Sequence, residues 1–176
     1  MPRPNVQSIE SAKQQIVDMI EAMGEETSPG FSKSCIDQQS ARLLVAERSE
    51  DLKKSKVVVE MKVTEKMTNQ LGNLHGGAQT TIMDCFTSLV IYLHTSSNFG
   101  EPWSMLGVSQ SMQIIFTAPI PVDSYIDVEC TSLAIGKSVA AITCEIWTKD
   151  GKDGKRLVRG SSGTHTKIDN SVQSKL

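Results

Sequence analysis

The residues best suited to chemistry lie in one stretch, Asn69-Gln70-Leu71-Gly72-Asn73-Leu74-His75-Gly76-Gly77, with Asp84 a short way beyond it. Gly76 and Gly77 open an apolar helical pattern. The first N–H groups of a helix have no intrahelical acceptor and form a partly positive site. Glycine lets a ligand come close to that backbone. Such a site suits an anion, or an oxygen that gains negative charge during a reaction. Asp84 supplies a carboxylate on the same helix. Backbone donors and a carboxylate together fit hydrolysis of an acyl compound.

Asp84 shares a narrow polar stripe with Thr80, Thr87 and Ser88, and the helix holds no Lys or Arg. A carboxylate on a solvated face is the plainer reading of that stripe. Asn69 has an amide that can donate to a substrate carbonyl or close a turn. His75 offers a base, or a ring that fixes the turn at residues 74–77. His94, near the helix end, suits the C-terminal carbonyls.

The elements that must position these residues follow from periodicity. Residues 8–23 predict an amphipathic helix, capped by Ser8, with Ile9, Ile16, Met19, Ile20 and Met23 on one face. A connector containing Ser28-Pro29-Gly30 follows. Leu43 and Val45 mark a first strand. Val57, Val59, Met61 and Val63 alternate with Val58, Glu60, Lys62 and Thr64. The central helix runs from about residue 76 to residue 93, and its apolar surface calls for burial. Leu106, Val108, Met112, Ile114 and Phe116 then share a strand face, with Gly107, Ser109, Ser111 and Gln113 on the other. Val122, Ile126, Val128 and Cys130 share a further face, as do Ala140, Ile142, Cys144 and Ile146. Residues 155–168 form a last, more polar strand.

Long meandering strands imply an antiparallel sheet. A curved sheet around one buried helix satisfies both patterns, an α+β fold with an extra N-terminal helix. The expected organisation is a helix and connector over residues 1–38, a sheet-and-helix domain over 39–169 and a polar tail over 170–176. Parity sets one register. Keeping the apolar faces together pairs Cys130 with Cys144, with Lys137 at the centre of a three-residue loop. A two-residue loop at Gly136 and Lys137 would need a bulge to recover the faces.

Spacing along the helix bears on the chemistry. Gly76 and Asp84 are eight residues apart, roughly 12 Å along one axis. A base and an oxyanion donor must each lie within ~3 Å of one reacting group. One helix cannot place both there. A two-fold dimer can bring Asp84 of one subunit to Gly76 of the other.

Composition narrows the classes. The chain has 176 residues and a formal net charge of −2, which suits one domain with a sizeable core and gives no basic surface for nucleic acid. No apolar run is long enough to span a bilayer. The first residues lack a secretory core, and Glu10, Asp18, Glu21, Glu25 and Glu26 make an acidic start for a transit peptide. Cys35, Cys85, Cys130 and Cys144 show no C-x-x-C spacing, so zinc is not expected. A reducing compartment follows, the cytosol first, with the mitochondrion as alternative.

The string Val63-Thr64-Glu65, Thr68-Asn69, Gly72, Leu74-His75-Gly76-Gly77 and Asp84 resembles the hotdog-fold acyl-CoA thioesterases, in particular their PaaI-like branch. The likeness continues through Gly107-Val108-Ser109, Ala118-Pro119, Gly136-Lys137 and Thr164-His165-Thr166-Lys167, and covers roughly residues 40–168. It implies the hotdog fold and hydrolysis of an acyl-CoA thioester to free acid and CoA. It also implies a homodimer, itself paired into a dimer of dimers, with sites shared between subunits. Asp84 is implied as base or nucleophile, Gly76 and Asn69 as donors to the carbonyl, and Ser109 as the residue that positions water. His75 is implied as a support of the turn, and His165 as a neighbour of the site. No metal or redox cofactor is implied, CoA being part of the substrate. For the CoA phosphates, Lys137 and Ser138 are the first candidates, with Arg159 and Lys167 behind them. Met83, Met105 and Met112 suit either an acyl pocket or the core. The alternatives are a hydratase or dehydratase on acyl thioesters, where a His does the proton chemistry, and a non-catalytic acyl-CoA sensor.

Overall fold

A computed structural model describes residues 5–25, 30–96 and 98–171. Eight main elements follow in order: α1 (Ile9–Gly24), β1 (Arg42–Arg48), β2 (Ser55–Lys62), α2 (Gly76–Tyr92), β3 (Val108–Phe116), β4 (Tyr125–Ile135), β5 (Val139–Lys149) and β6 (Arg156–Ile168). Short 3₁₀ turns occur at Ser32–Ser34 and Glu65–Met67. All strands join one antiparallel sheet, in the order β1-β2-β4-β5-β6-β3. α2 packs across β2 to β6. The result is the hotdog architecture, with β1 and β3 as the edges.

The alternation that predicts the strands also builds the core. Val57, Val59, Met61, Ile126, Val128, Cys130, Ala140, Ile142 and Ile146 are fully buried on the face that meets α2. α2 answers with Ile82, Met83, Phe86, Leu89, Val90 and Ile91, all buried. Apolar area removed from water on both surfaces is the main force holding the layers together. α1 is capped by Ser8, whose side chain accepts from the Ser11 N–H. It buries Ala12, Ile16 and Ile20 against the same core. Among the described residues, no helix is long and apolar enough to cross a membrane.

Cys130 pairs with Cys144 as parity requires, with the sulfurs 3.5 Å apart and all four thiols free. The expected three-residue loop is replaced by a tighter one. Gly136 N–H donates to Val139 O at 2.8 Å, so Lys137 and Ser138 alone form the loop. The register shifts between Ser132 and Ala134, and the bulge at Leu133 restores the faces beyond it. β4 starts later than the alternation suggests, because Asp123 has φ +66° and turns the chain ahead of Tyr125. Glu60, alternating with the core residues, is nevertheless fully buried. Lys149 and Arg42 pair with its carboxylate and Asp153 N–H donates to it, as burying a charge demands.

Candidate active site

The loop before α2 is built on Asn69. Its Oδ1 accepts from Leu71 N–H at 2.9 Å and Asn73 N–H at 3.2 Å, while Asn69 N–H donates to Asn73 O at 2.8 Å. Gly72 supplies the φ of +73° that the turn needs. The amide oxygen therefore closes the turn, and the amide nitrogen is the end left to donate elsewhere. The turn reading and the donor reading use opposite ends of one side chain.

His75 is the N-cap of α2. Its N–H donates to Met67 O, and its Nδ1 accepts from Gly77 N–H at 2.9 Å. An Nδ1 that accepts leaves the ring proton on Nε2. This is the structural role of the two readings of His75. The Gly77 donor is thus used internally, while Gly76, the first helical residue, has no intrahelical acceptor for its own N–H. Phe116 lies over Gly76, its Cζ 3.4 Å from where a Cβ would stand.

Two turns along, Asp84 projects with a side chain about half exposed (48%). Ser109 Oγ donates to Asp84 Oδ1 at 2.9 Å. Simple alternation groups Ser109 with Ser111 and Gln113 on the outer face. The register shift between Ser109 and Ser111 changes that phase. Ser111 pairs with Thr166 and bonds its hydroxyl at 2.7 Å, whereas Ser109 pairs with Lys167 on the inner face. The bulge at Gln110 aims Ser109 at Asp84.

Beneath Asp84 lies a polar layer. His165, 1% exposed, holds Nδ1 2.6 Å from Thr87 Oγ1 and places Nε2 3.6 Å from Asp84 Oδ1. That Nε2 has no hydrogen-bond partner among the described residues. Burial and the neighbouring Lys167 push the imidazole below its ordinary pKa, against the pull of Asp84, so the ring is neutral near pH 7. Lys167 is buried at 4% exposure and donates to Ser88 Oγ at 2.8 Å. Burial lowers its pKa, with Asp84 and Cys85 opposing. Burial drives the adjacent Cys85 thiol up to about 12, which leaves it protonated and unreactive.

Asp84, Ser109 and His165 therefore meet at the middle of α2, and Asn69, His75 and Gly76 lie at its N-terminal end. The two halves do not meet within one chain. Lys137 and Ser138 sit exposed on the β4–β5 turn, at the sheet end where Val139 and Val108 both pair with Ile168. Arg159 is engaged with Glu145 at 2.7 Å and with the Trp147 ring, and Lys167 faces inward, so neither is presented to a phosphate. Met83 belongs to the core, and Met105 is exposed. That Lys167 turns inward beside His165 was not evident from sequence. Their spacing of two, on one strand face, is the signal that finds it.

The model of the thioesterase superfamily matches residues 71–155 of the chain. Acyl-coenzyme A thioesterase 13 of Mus musculus is 32% identical over 110 residues, which is 62% of this chain and 72% of that protein. The Homo sapiens protein of the same name matches equally. The crystal structure of zebra fish thioesterase superfamily member 2 superposes with a TM-score of 0.65 at 28% identity, covering 92% of this chain and 98% of that one. The E. coli PaaI protein shares the fold, with a TM-score of 0.59 at 14% identity over 90% of this chain and 98% of its own.

Proposed function

The chain belongs to the thioesterase superfamily and is a thioester hydrolase, and we propose that it splits acyl-CoA into free acid and CoA at a site shared between two subunits. The observation that carries the shared site is the position of β3. This strand is a sheet edge, with Val108, Ile115 and Phe116 half exposed. Its Ser109 end touches Asp84, and its Phe116 end touches Gly76. An edge of this kind offers a row of unpaired N–H and C=O groups to a second strand. Two β3 strands paired antiparallel about their midpoint, Met112, set Ser109 of one against Ile115 of the other, next to Phe116. That pairing carries Asp84 to the partner's Gly76 and joins the two half-sites.

In the joined site, the partner's Gly76 N–H and the partner's Asn69 amide donate to the thioester oxygen. Their hydrogen bonds strengthen as that oxygen gains charge. Asp84 and the Ser109 hydroxyl hold a water against the carbonyl carbon. Asp84 removes a proton as the C–O bond forms. The C–S bond then breaks, the electron pair leaves with sulfur, and the proton passes to the thiolate. His165 and Lys167 fix the layer on which Asp84 rests. Lys137 and Ser138 lie on the open surface, where phosphates of CoA can reach them. His75 is occupied as a cap, which weighs against the dehydratase alternative. A cytosolic location fits the four free thiols.

Release of thiol from a panel of acyl-CoAs tests the reaction. Sedimentation tests the assembly, with a dimer or a dimer of dimers expected. A protein that is active as a monomer would remove the shared site.

A further inference from the structure

The β4–β5 turn that carries Lys137 and Ser138 is held from outside. A two-residue hairpin loop follows the strand twist when its residues take positive φ, yet Lys137 and Ser138 both keep negative φ. The carbonyl that closes such a turn belongs to the residue before the loop, here Gly136. Trp103 Nε1 donates to Gly136 O at 2.8 Å. On the far side of the loop, Asp169 N–H donates to Ser138 O at 2.9 Å. The Asp169 carboxylate ties the two anchors together. Its Oδ2 accepts from Trp103 N–H and its Oδ1 from Ser171 N–H, each at 2.9 Å.

The anchors are themselves fixed. Trp103 is fully buried and has φ +60°, a conformation that a bulky residue seldom takes. Its carbonyl accepts from Ser96 N–H at 3.2 Å. Met105 N–H donates to Ser171 Oγ at 2.8 Å. Gly107 has φ +69°, and a Cβ there would stand 2.6 Å from Ile168 O and 2.9 Å from the Trp103 ring. Residues 103–107 are thus held against the end of β6, with the indole directed at Gly136.

We propose that Trp103 and Asp169 are positioning residues for the nucleotide end of the substrate. They hold the Lys137–Ser138 turn in the shape that receives the phosphates of CoA, and so favour a CoA thioester over a thioester without phosphates. This rests on the thioesterase reading above. Lys137 and Ser138 are exposed, and an ammonium and a hydroxyl both donate to phosphate oxygens. Val139 and Val108 both pair with Ile168, so the turn stands two strand spacings across and about three residues along from Ser109, roughly 14 Å in all. About thirteen bonds separate the sulfur of CoA from its nearest phosphorus, about 16 Å when extended. The turn is therefore within reach of the phosphates when the thioester lies beside Ser109. A turn already fixed loses less freedom when the phosphates arrive, so loss of the brace falls on KM.

The test uses the acyl-CoA that the panel above shows to be hydrolysed fastest, and the S-acyl-pantetheine with the same acyl group, which lacks the phosphates. The readout is the ratio of kcat/KM for acyl-CoA to kcat/KM for acyl-pantetheine. It is measured in the full chain, in Lys137→Ala, in Trp103→Phe, which keeps a ring but removes its N–H, and in Asp169→Asn, which keeps one of the two acceptor oxygens. The ratio should fall about ten-fold in Lys137→Ala, as loss of a hydrogen bond to a charged group does. It should fall about three-fold or more in Trp103→Phe and in Asp169→Asn, with the loss in KM for acyl-CoA. Because the brace acts through the turn, Trp103→Phe should lower the ratio by a smaller factor in the Lys137→Ala background than in the full chain. A ratio that Lys137→Ala leaves unmoved, a ratio that neither Trp103→Phe nor Asp169→Asn moves, or an equal effect of Trp103→Phe in both backgrounds overturns this inference alone. No hydrolysis of any thioester overturns the thioesterase reading, and this inference with it.

Discussion

Ser109 and Asp84 stand 25 positions apart in the chain, yet Ser109 Oγ donates to Asp84 Oδ1 at 2.9 Å. The contact joins an edge strand to the central helix. It exists because one residue, Gln110, is left over in the pairing of β3 with β6. A hydroxyl donating to a carboxylate leaves the carboxylate's other oxygen and the hydroxyl's lone pairs free for water. In the proposed reaction the pair mounts the nucleophilic water, besides tying strand to helix.

Replacing Asp84 by Asn keeps the size and the Ser109 contact but removes the base. Turnover should fall by roughly 10²-fold or more, since general-base removal commonly costs ~10²–10⁴. Binding of a non-hydrolysable acyl-CoA analogue should change little. Near wild-type turnover in a folded Asp84→Asn protein would move the chemistry elsewhere.

Ser109 and Ser111 provide an internal comparison. Ser109→Ala removes a hydrogen bond to a charged group, worth about 1.5–3 kcal/mol, so kcat should drop about ten- to a hundred-fold. Ser111 bonds Thr166 on the outer face, and Ser111→Ala should leave kcat within about two-fold. A larger loss at Ser111 than at Ser109 would contradict the bulge-driven geometry.

What the sequence made legible was whatever a strict period governs. The helix from Gly76, the buried faces of β2, β4 and β5, and the pairing of Cys130 with Cys144 all follow from counting by two or by 3.6. Two of the misses share one physical origin. Bulges at Leu133 and Gln110 each insert a residue and invert the parity that follows, so the hairpin loop and the face of Ser109 were misplaced. Lys167 suits the CoA phosphates in sequence because β6 is polar throughout and hides its inner face, where the side chain is in fact buried. Glu60 was hidden in the same way, its burial made possible by partners from β1 and β5 that no local pattern announces.

Gly107 is strained ground for any side chain. Its φ of +69° is left-handed, and a Cβ would press on Ile168 O and Trp103. Gly107→Ala should destabilise the fold by about 1–3 kcal/mol, the range for such backbone strain. Chemical denaturation measures it. An unchanged midpoint would mean that residues 104–107 are not held as described.

His165 gives the fold a pH dependence. Burial first, then Lys167, lower its pKa, and Asp84 only partly opposes them. An unfolded His titrates near 6.5, so below that pH the unfolded chain takes up a proton that the folded chain refuses. Bound protons are then more numerous in the unfolded state, and stability rises with pH. The contribution of His165 is complete above about pH 6.5 and is lost as pH falls below it towards the folded value. His165→Gln should flatten the slope of unfolding free energy against pH in that window. An identical slope in the variant would assign the dependence to other groups.

Subunit mixing reaches the shared site directly. Asp84 lies midway along α2 and Asn69 in the loop before it, and each is predicted to act with the other residue's copy on the second chain. Asn69→Ala and Asp84→Ala homodimers should both be nearly inactive. After dissociation and random reassociation, half of the dimers carry one chain of each kind. Each of these holds one site with both lesions and one site with neither. About a quarter of wild-type activity should return, by the two-fold pairing argument. Native mass spectrometry verifies the exchange independently of activity. Heterodimers formed in full without any recovered turnover would show that Asn69 and Asp84 serve one chain, and the antiparallel pairing of β3 would lose its functional basis.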